Sequence, residues 1–334
     1  MAEKQPLNAT FFAFQKRDGS VLLPASVAFA VLMIVGLVVL GVVAYFALGG
    51  PAFVEWYNNA MIASAKGGAP EPPPNLGAIF LIFPIEMIAL FFYFVALAAF
   101  ESSSLRWLIR GEKSNPFNLC FGADMWRVYG TYWFWFLFFF CTAIIFAIWM
   151  VVLGAIGGAI GGKDNAGPAV LVGLVGCLVW FVAWIYVAVR LAPAAATSIG
   201  AGHFAPLKAW GVSSGRFWAL FGAFLLIFII YIIASIVVGG VTMGAYFATV
   251  FGGVDWSKMG SDPTGFSAAY QSAVLEGMQK LWSSPVSIAL YIGGQIAIYA
   301  LALLIYVMCY GVNARAVRVA LDEGKLEHNP AAAS

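Results

Sequence analysis

Charged side chains are scarce in this chain. Only 10% of its 334 residues are Asp, Glu, Lys or Arg, and 63% are hydrophobic, whereas a soluble domain carries about 25% charged residues. This composition excludes a water-soluble globular fold. We expect no nucleic-acid partner.

Residues that support catalysis or metal binding are also few. The chain has 4 Cys, 2 His and no CxxC motif, so it offers no metal site of any strength. Residues 211–215 match GxSxG, but a nucleophile elbow needs a preceding strand, and an apolar segment precedes this one. We therefore expect a protein that is not an enzyme, with no catalytic residue and no cofactor.

Long apolar runs are what the chain has instead. Five runs contain no charged residue and a sixth contains only Glu86; each reaches the roughly 20 residues needed to cross the hydrocarbon core as a helix. The strands of a β-barrel would alternate in polarity, which these runs do not. We predict an all-α integral membrane protein with six transmembrane helices. The predicted spans are 21–48, 76–100, 126–155, 168–190, 217–247 and 285–312.

Lysine and arginine are distributed unevenly among the connections. The two ends of the chain and the second and fourth connections hold 13 of them, and the other connections hold 4. The positive-inside rule then predicts that both termini are cytoplasmic. Residues 1–20 form a cytoplasmic segment in this prediction, residues 21–313 the membrane domain, and residues 314–334 a cytoplasmic amphipathic tail.

Amphipathic or small-residue segments follow the even-numbered spans. Residues 101–110 and the tail alternate apolar and basic positions at helical spacing, and we expect both to lie on the membrane surface, as does the segment 194–204. A surface helix followed by a helical hairpin thus occurs three times, which suggests an internal three-fold repeat. The alternative is that every segment that enters the membrane from the cytoplasm contains similar residues, without an internal repeat.

Glycines recur at four-residue spacing in two spans. This spacing lets helix backbones approach closely. We expect the set in the third span to pack against the fourth span or to form a subunit contact, and the set in the fifth span to pack closely as well. The pairs in the third span and its exit are Gly154/Gly158, Gly157/Gly161 and Gly158/Gly162, and the pair in the fifth span is Gly240/Gly244.

Ionisable and amide groups within the spans are candidate functional residues. Burying a charge such as Glu86 costs about 2.5 to 3.5 kcal/mol, so it should face the bundle or an aqueous cavity, or be protonated. Glu86 and Gln295 would then line an ion or substrate path; the alternative is a structural hydrogen bond near Pro84, with Gln295 joining helices. Glu101 and Arg190 end their spans at the same depth, which suggests an ion pair.

Basic clusters on the predicted cytoplasmic face are candidates for binding anionic lipid headgroups. The alternative is that these charges only orient the helices. The residues are Arg106, Arg110, Lys113, Arg315 and Arg318.

A common pattern joins the end of an even-numbered span to the start of the next span. It consists of a connection with small and basic residues, a proline, and then a segment with Trp and Gly, such as SSGRFWALFG, that begins the next span. The pattern resembles the YciC-like bacterial inner-membrane proteins and the related membrane domain fused to some glycerophosphodiester phosphodiesterases. The resemblance covers residues 91–228 and implies a six-helix domain of the bacterial inner membrane. Phosphodiesterase catalysis belongs to a separate soluble barrel in that family, so no catalytic residue is carried over.

Two functions remain open from the sequence. The first is a non-enzymatic inner-membrane protein that organises lipids or partner membrane proteins. The second is a transporter or flippase of a lipid or small amphipathic molecule. Expected partners are membrane lipids, anionic ones included, and either another membrane protein or a second copy of this chain.

Overall fold

The protein is predominantly helical in the residues that its computed structural model describes, which are 10–15, 20–65, 68, 72, 76–113, 117–162 and 167–327. No strand occurs in these ranges. The α-helices are α1 (Leu22–Ala47), α2 (Pro51–Ala65), α3 (Leu76–Arg110), α4 (Ala123–Gly161), α5 (Gly167–Leu191), α6 (Ala194–Ala201), α7 (Ala209–Val212), α8 (Phe217–Gly252), α9 (Pro263–Trp282) and α10 (Pro285–Asp322). Short 3-10 helices cover Phe12–Phe14, Pro206–Lys208 and Trp256–Met259.

Six of these helices are long and apolar enough to cross a membrane. They coincide with the six predicted spans, so the predicted fold class is confirmed. Two of them extend well beyond the predicted ends: α3 continues to Arg110 and α10 to Asp322. The segment 101–110 is therefore not a separate surface helix. Likewise, α10 passes without a break through the predicted boundary between the membrane domain and the tail, after residue 313.

The helix extensions are continuous because their apolar sides are buried. Leu105 and Leu108 of α3 are completely buried, and so are Ala314 and Val317 of α10. An amphipathic segment on a lipid surface would leave these side chains open to acyl chains. Here protein atoms cover them, and the same helix carries them past the apolar span.

The chain divides into two compact units. The first unit contains Met1–Phe29, Phe94–Ile227 and Val307–Ser334, and the second contains Ala30–Tyr93 and Phe228–Tyr306. Helices α4 to α7 belong entirely to the first unit. Helices α2 and α9 belong entirely to the second.

Helix α6 lies in the core of the first unit. All eight of its residues are buried, so the expectation that residues 194–204 lie along a surface is wrong for this helix. Apart from Ile199 its residues are small. Its two hydroxyls are bonded locally: Thr197 donates to the Pro193 carbonyl at 2.7 Å and Ser198 to the Ala194 carbonyl at 3.0 Å. A short helix with satisfied hydroxyls is buried at little cost.

Helices α4 and α5 form an antiparallel hairpin, and of the glycine pairs predicted in α4 it is Gly157/Gly161 that lies at their contact. A Cβ atom on Gly157 would collide with Ala169, and one on Gly161 would lie 3.3 Å from Pro168. In contrast, a Cβ on any of the other predicted glycines has no described neighbour within 4 Å, so the expected close packing within the chain is not formed at those positions. Those glycines are Gly154, Gly158, Gly162, Gly240 and Gly244.

Helical periodicity explains this outcome. Gly157 and Gly161 lie one turn apart on the buried side of α4, whereas Gly154 and Gly158 lie on an exposed side. Gly162 has another role, because its φ of +68° ends α4 in a conformation that favours glycine. The predicted subunit contact through Gly154 and Gly158 stays a prediction.

The second unit contains two helices that flank its apolar spans. Helix α9 begins after Asp262, whose carboxylate accepts from the Gly265 amide at 3.0 Å. This cap satisfies an amide that would otherwise lack a partner in the first turn. Helix α9 runs from Pro263 to Trp282 and occupies most of the connection between α8 and α10.

Candidate functional site

The predicted path residues Glu86 and Gln295 both lie in the second unit. Glu86 is exposed, and Gln295 is half-buried. Neither side chain forms a hydrogen bond or ion pair with any residue that the structure describes. The chain therefore does not join the two residues into a site.

The position of Glu86 follows from the helix period of α3. The half-buried side of this part of α3 carries Ile82, Ile85, Ala89 and Phe92, which are three or four residues apart. Glu86 lies off that stripe. The Glu86 carboxylate thus does not face the interior of the bundle, so that expectation is wrong. The other two expectations, an aqueous cavity and a protonated carboxyl group, stay predictions.

Glu101 and Arg190 are both buried in the first unit, but the expected ion pair between them is not formed. The hydroxyl of Tyr132 donates to Glu101 Oε2 at 2.7 Å. Aromatic and carbonyl groups hold the Arg190 guanidinium instead. Each side chain therefore has its own local partners.

The Arg190 guanidinium interacts mainly with Trp210, which belongs to α7. Its carbon lies 4.6 Å from the Trp210 ring centroid, and Nη2 donates to the Trp210 carbonyl at 2.9 Å. Ser213 Oγ donates to the Arg190 carbonyl at 2.8 Å. A cation over an aromatic face is stabilised by the ring quadrupole, and these contacts fasten α7 to the end of α5.

Three arginines converge on one buried carboxylate, that of Asp124 in the first turn of α4. Arg110 Nη2 and Arg127 Nη1 each bond to one of its oxygens, and Arg106 Nε lies 3.4 Å from Oδ2. The Asp124 side chain is only 8% exposed. We call Arg106, Arg110, Arg127 and Asp124, together with Glu112, the arginine cluster.

Glu112 is the second carboxylate of the cluster. Its Oε2 accepts from Arg106 Nη2 at 2.7 Å and from Arg106 Nε at 3.0 Å, and its Oε1 lies 3.7 Å from Arg110 Nε. Its side chain is 41% exposed. Three guanidinium groups and two carboxylates leave the cluster with one positive charge in excess.

One donor of the cluster is not used. Arg110 Nε is buried and has no hydrogen-bond partner among the described atoms. Lys113, the third basic residue of the predicted headgroup site, is exposed one residue beyond Glu112. The structure thus joins Arg106 and Arg110 in one cluster and leaves Lys113 at its edge.

The two predicted basic residues of α10 lie over the first segment of the chain. The guanidinium carbons of Arg315 and Arg318 lie 5.4 Å and 5.9 Å from the centroid of Phe12. The Phe12 ring is buried, and Arg318 is exposed. These arginines therefore fix the short helix Phe12–Phe14, with Arg318 open to further contacts.

A second ion-pair group was not anticipated. Arg216, which precedes α8, bonds to Glu323 beyond the end of α10, and Lys325 Nζ lies 2.9 Å from the same carboxylate. The hydrogen bond from Arg216, with that from Lys325, lowers the pKa of Glu323 to about 2. This group links two segments that are far apart in the chain.

The sequence offered a weak signal for one of the missed residues. Asp124 and Arg127 are an i, i+3 pair in the first turn of a helix, a spacing that favours ion pairs. The sequence offered no such signal for Glu112, because Glu112 lies in a connection, directly after the Gly111 that ends α3. Its pairing depends on where the chain turns back, which periodicity does not determine.

Six apolar spans, with a charge cluster at the ends of α3 and α4, define a multi-pass α-helical membrane protein. Comparison of the chain with models of known protein families, with curated proteins and with solved structures gives no match.

Proposed function

We propose that this chain is a non-enzymatic, multi-pass protein of the bacterial inner membrane with both termini in the cytoplasm. In this proposal it binds anionic lipid headgroups through the arginine cluster and thereby organises lipids or partner membrane proteins. The observation that carries the proposal is the excess positive charge of the cluster, one of whose two counterions is an exposed carboxylate.

Electrostatics and geometry both support a phosphate as the bound group. The guanidinium group presents donors in a planar fork that matches phosphate oxygens. Basic residues near an anionic leaflet contribute about 1 kcal/mol each. Arg106 and Arg110 lie in the last turns of a membrane-spanning helix, and Lys113 follows on the exposed side, which suits headgroup depth.

The distribution of Lys and Arg supports the orientation, since the basic connections include the cluster. The resemblance to the YciC-like proteins agrees with this proposal and supplies its bacterial inner-membrane setting. The alternative, transport or flipping of a lipid, would use Glu86 and Gln295, and no contact between those residues favours it.

The proposal is tested by measuring which lipids the purified protein retains. In native mass spectrometry from a mixture of phosphatidylglycerol and phosphatidylcholine, we expect bound phosphatidylglycerol to predominate. Lys113→Gln with Arg318→Gln removes two exposed charges of the predicted headgroup site, one of them at the edge of the arginine cluster, and should reduce that preference.

The matched control carries Lys258→Gln with Lys280→Gln, the same charge change at two exposed sites of the second unit. It should retain phosphatidylglycerol as the unaltered protein does. Equal retention of both lipids by the unaltered protein would contradict the proposal.

A further inference from the structure

We propose that Glu112 occupies the position of a lipid phosphate in the arginine cluster, and that the phosphate group of an anionic phospholipid displaces it from Arg106 and Arg110. The inference rests on the proposed function, because it specifies how that lipid-binding cluster is loaded. Glu112 is then a built-in competitor that the lipid must replace.

The two carboxylates of the cluster are held very differently. Asp124 lies within α4, is 8% exposed and contacts all three arginines. Glu112 is 41% exposed and contacts only Arg106 and Arg110. Asp124 is thus the permanent counterion of the cluster, and Glu112 is the one that solvent or a ligand reaches.

The contact between Glu112 and Arg106 is one that a phosphate oxygen reproduces. A single oxygen, Oε2, accepts from both Nε and Nη2 of the guanidinium edge. Phosphate oxygens bind this edge in the same way. A phosphodiester also carries one negative charge, so the exchange leaves the charge balance of the cluster unchanged.

The contact between Glu112 and Arg110 is incomplete, and here a phosphate has an advantage. Glu112 Oε1 lies 3.7 Å from Arg110 Nε, which is too far for a hydrogen bond, and this buried nitrogen has no other partner among the described atoms. A tetrahedral phosphate presents further oxygens in another plane. It is therefore able to satisfy Nε while it keeps both bonds to Arg106.

The backbone before Glu112 permits it to move. Gly111 ends α3 with a φ of +73°, and no described atom lies within 4 Å of a Cβ built on it. Glu112 therefore follows the helix without being packed into it. Lys113, exposed beyond it, is placed to approach a phosphate once the carboxylate has left.

The test measures the affinity of the full chain, in nanodiscs or a neutral detergent, for short-chain phosphatidylglycerol. Glu112→Gln removes the competing charge while keeping the shape. We expect its affinity to rise by roughly tenfold, equivalent to about 1.4 kcal/mol. Glu276→Gln is the matched control, because Glu276 is also an exposed carboxylate in an ion pair, with Lys280; it should change nothing.

Two further arms identify what is bound. Arg106→Lys in the Glu112→Gln background keeps the charge but loses the fork, and it should abolish the gain without unfolding the cluster. Phosphatidylcholine and inorganic phosphate are titrated in parallel. Binding of inorganic phosphate with no preference for phosphatidylglycerol would overturn the lipid assignment.

The outcomes separate this inference from the proposed function. If the unaltered protein prefers phosphatidylglycerol but Glu112→Gln binds it no more tightly, Glu112 is not a competitor and the inference is wrong, while the proposed function stands. If neither protein prefers phosphatidylglycerol to phosphatidylcholine, both are wrong.

Discussion

Two acidic residues of the same helix, Glu86 and Glu101 of α3, differ in burial and in hydrogen bonding. Glu101 is buried and accepts a hydrogen bond from Tyr132, whereas Glu86 is exposed and bonds to no described residue. A buried carboxylate depends on such a bond because no water replaces it. The structure therefore makes Glu101, and not Glu86, the residue of α3 that the fold requires.

This contrast predicts different effects of one substitution at the two positions. Glu101→Ala removes the acceptor of Tyr132 and empties a buried site, so we expect a loss of about 1 to 3 kcal/mol of stability. Glu86→Ala is the matched control and should leave the thermal unfolding temperature nearly unchanged. Equal destabilisation by the two substitutions would contradict the assignment of Glu101 as the structural carboxylate of the pair.

The transport alternative is tested by a gentler change at the same residue. Under the lipid-organising proposal, Glu86→Gln should leave folding and cellular phenotype nearly intact. A clear loss of function with normal expression would instead favour a path through Glu86 and Gln295.

At the scale of the helix, α6 is completely buried in the first unit and packs beside α10. Gly200 lies beside α10, and a Cβ on it would come within 2.5 Å of Val317 Cγ1 and 3.3 Å of Leu326 Cδ2. Only glycine fits between these side chains without displacing them. The close approach of α6 to α10 thus depends on one residue.

Gly200→Leu should therefore destabilise the protein by about 1 to 3 kcal/mol through overpacking. Gly222→Ala is the control, because Gly222 is an exposed helical glycine with no described atom within 4 Å of its added Cβ. Alanine there should be neutral or stabilising, since it favours the helix. Thermal unfolding in detergent distinguishes the two, and unchanged stability of Gly200→Leu would show that α6 and α10 separate easily.

The long spans were predictable from the sequence because a run of apolar residues has only one stable form in lipid, the helix. The burial of α6 was not, because its sequence AAATSIGA resembles a small-residue connection. Nor could the sequence decide which of the predicted glycine pairs would pack, since Gly154 and Gly157 differ only in the face of α4 that they occupy. Which face is buried depends on the neighbouring helix.

The candidate site was predictable to a similar extent. The basic residues Arg106 and Arg110 stood out as a cluster at a span end, and the structure brings them together. Their counterions Glu112 and Asp124 did not, because turns of the chain, and not helical spacing, bring them to the arginines. Sequence patterns reveal charges on one helix more readily than pairs made across a connection.

At the scale of the molecule, the link between Arg216 and Glu323 predicts how stability depends on pH. The pKa of Glu323 falls from its usual 4.5 to about 2 in the folded protein. Because the folded-state pKa is lowered, its stabilising contribution is fully present above about pH 5 and is lost as pH falls towards 2. The unfolding temperatures of the unaltered protein and of Glu323→Gln should therefore differ at pH 7, and the difference should shrink below about pH 5 and disappear near pH 2.

Glu327→Gln is the control for this experiment, because Glu327 is exposed and forms no ion pair with a described residue. Its unfolding temperature should follow that of the unaltered protein at every pH. A difference for Glu323→Gln that stays constant from pH 7 to pH 3 would mean that its effect is not electrostatic.

The orientation of the whole chain follows from an even number of spans together with the charge distribution. If all six helices cross the membrane, both ends of the chain lie on one side, and the 13 to 4 division of Lys and Arg predicts that this side is the cytoplasm. Green fluorescent protein fused to the C-terminus should then fluoresce, and alkaline phosphatase in its place should be inactive. Phosphatase inserted after Trp282, in the connection before α10, should be active because that connection faces the other side. The reverse pattern would place both termini and the arginine cluster on the outer side of the membrane. It would contradict the orientation that the distribution of Lys and Arg predicts.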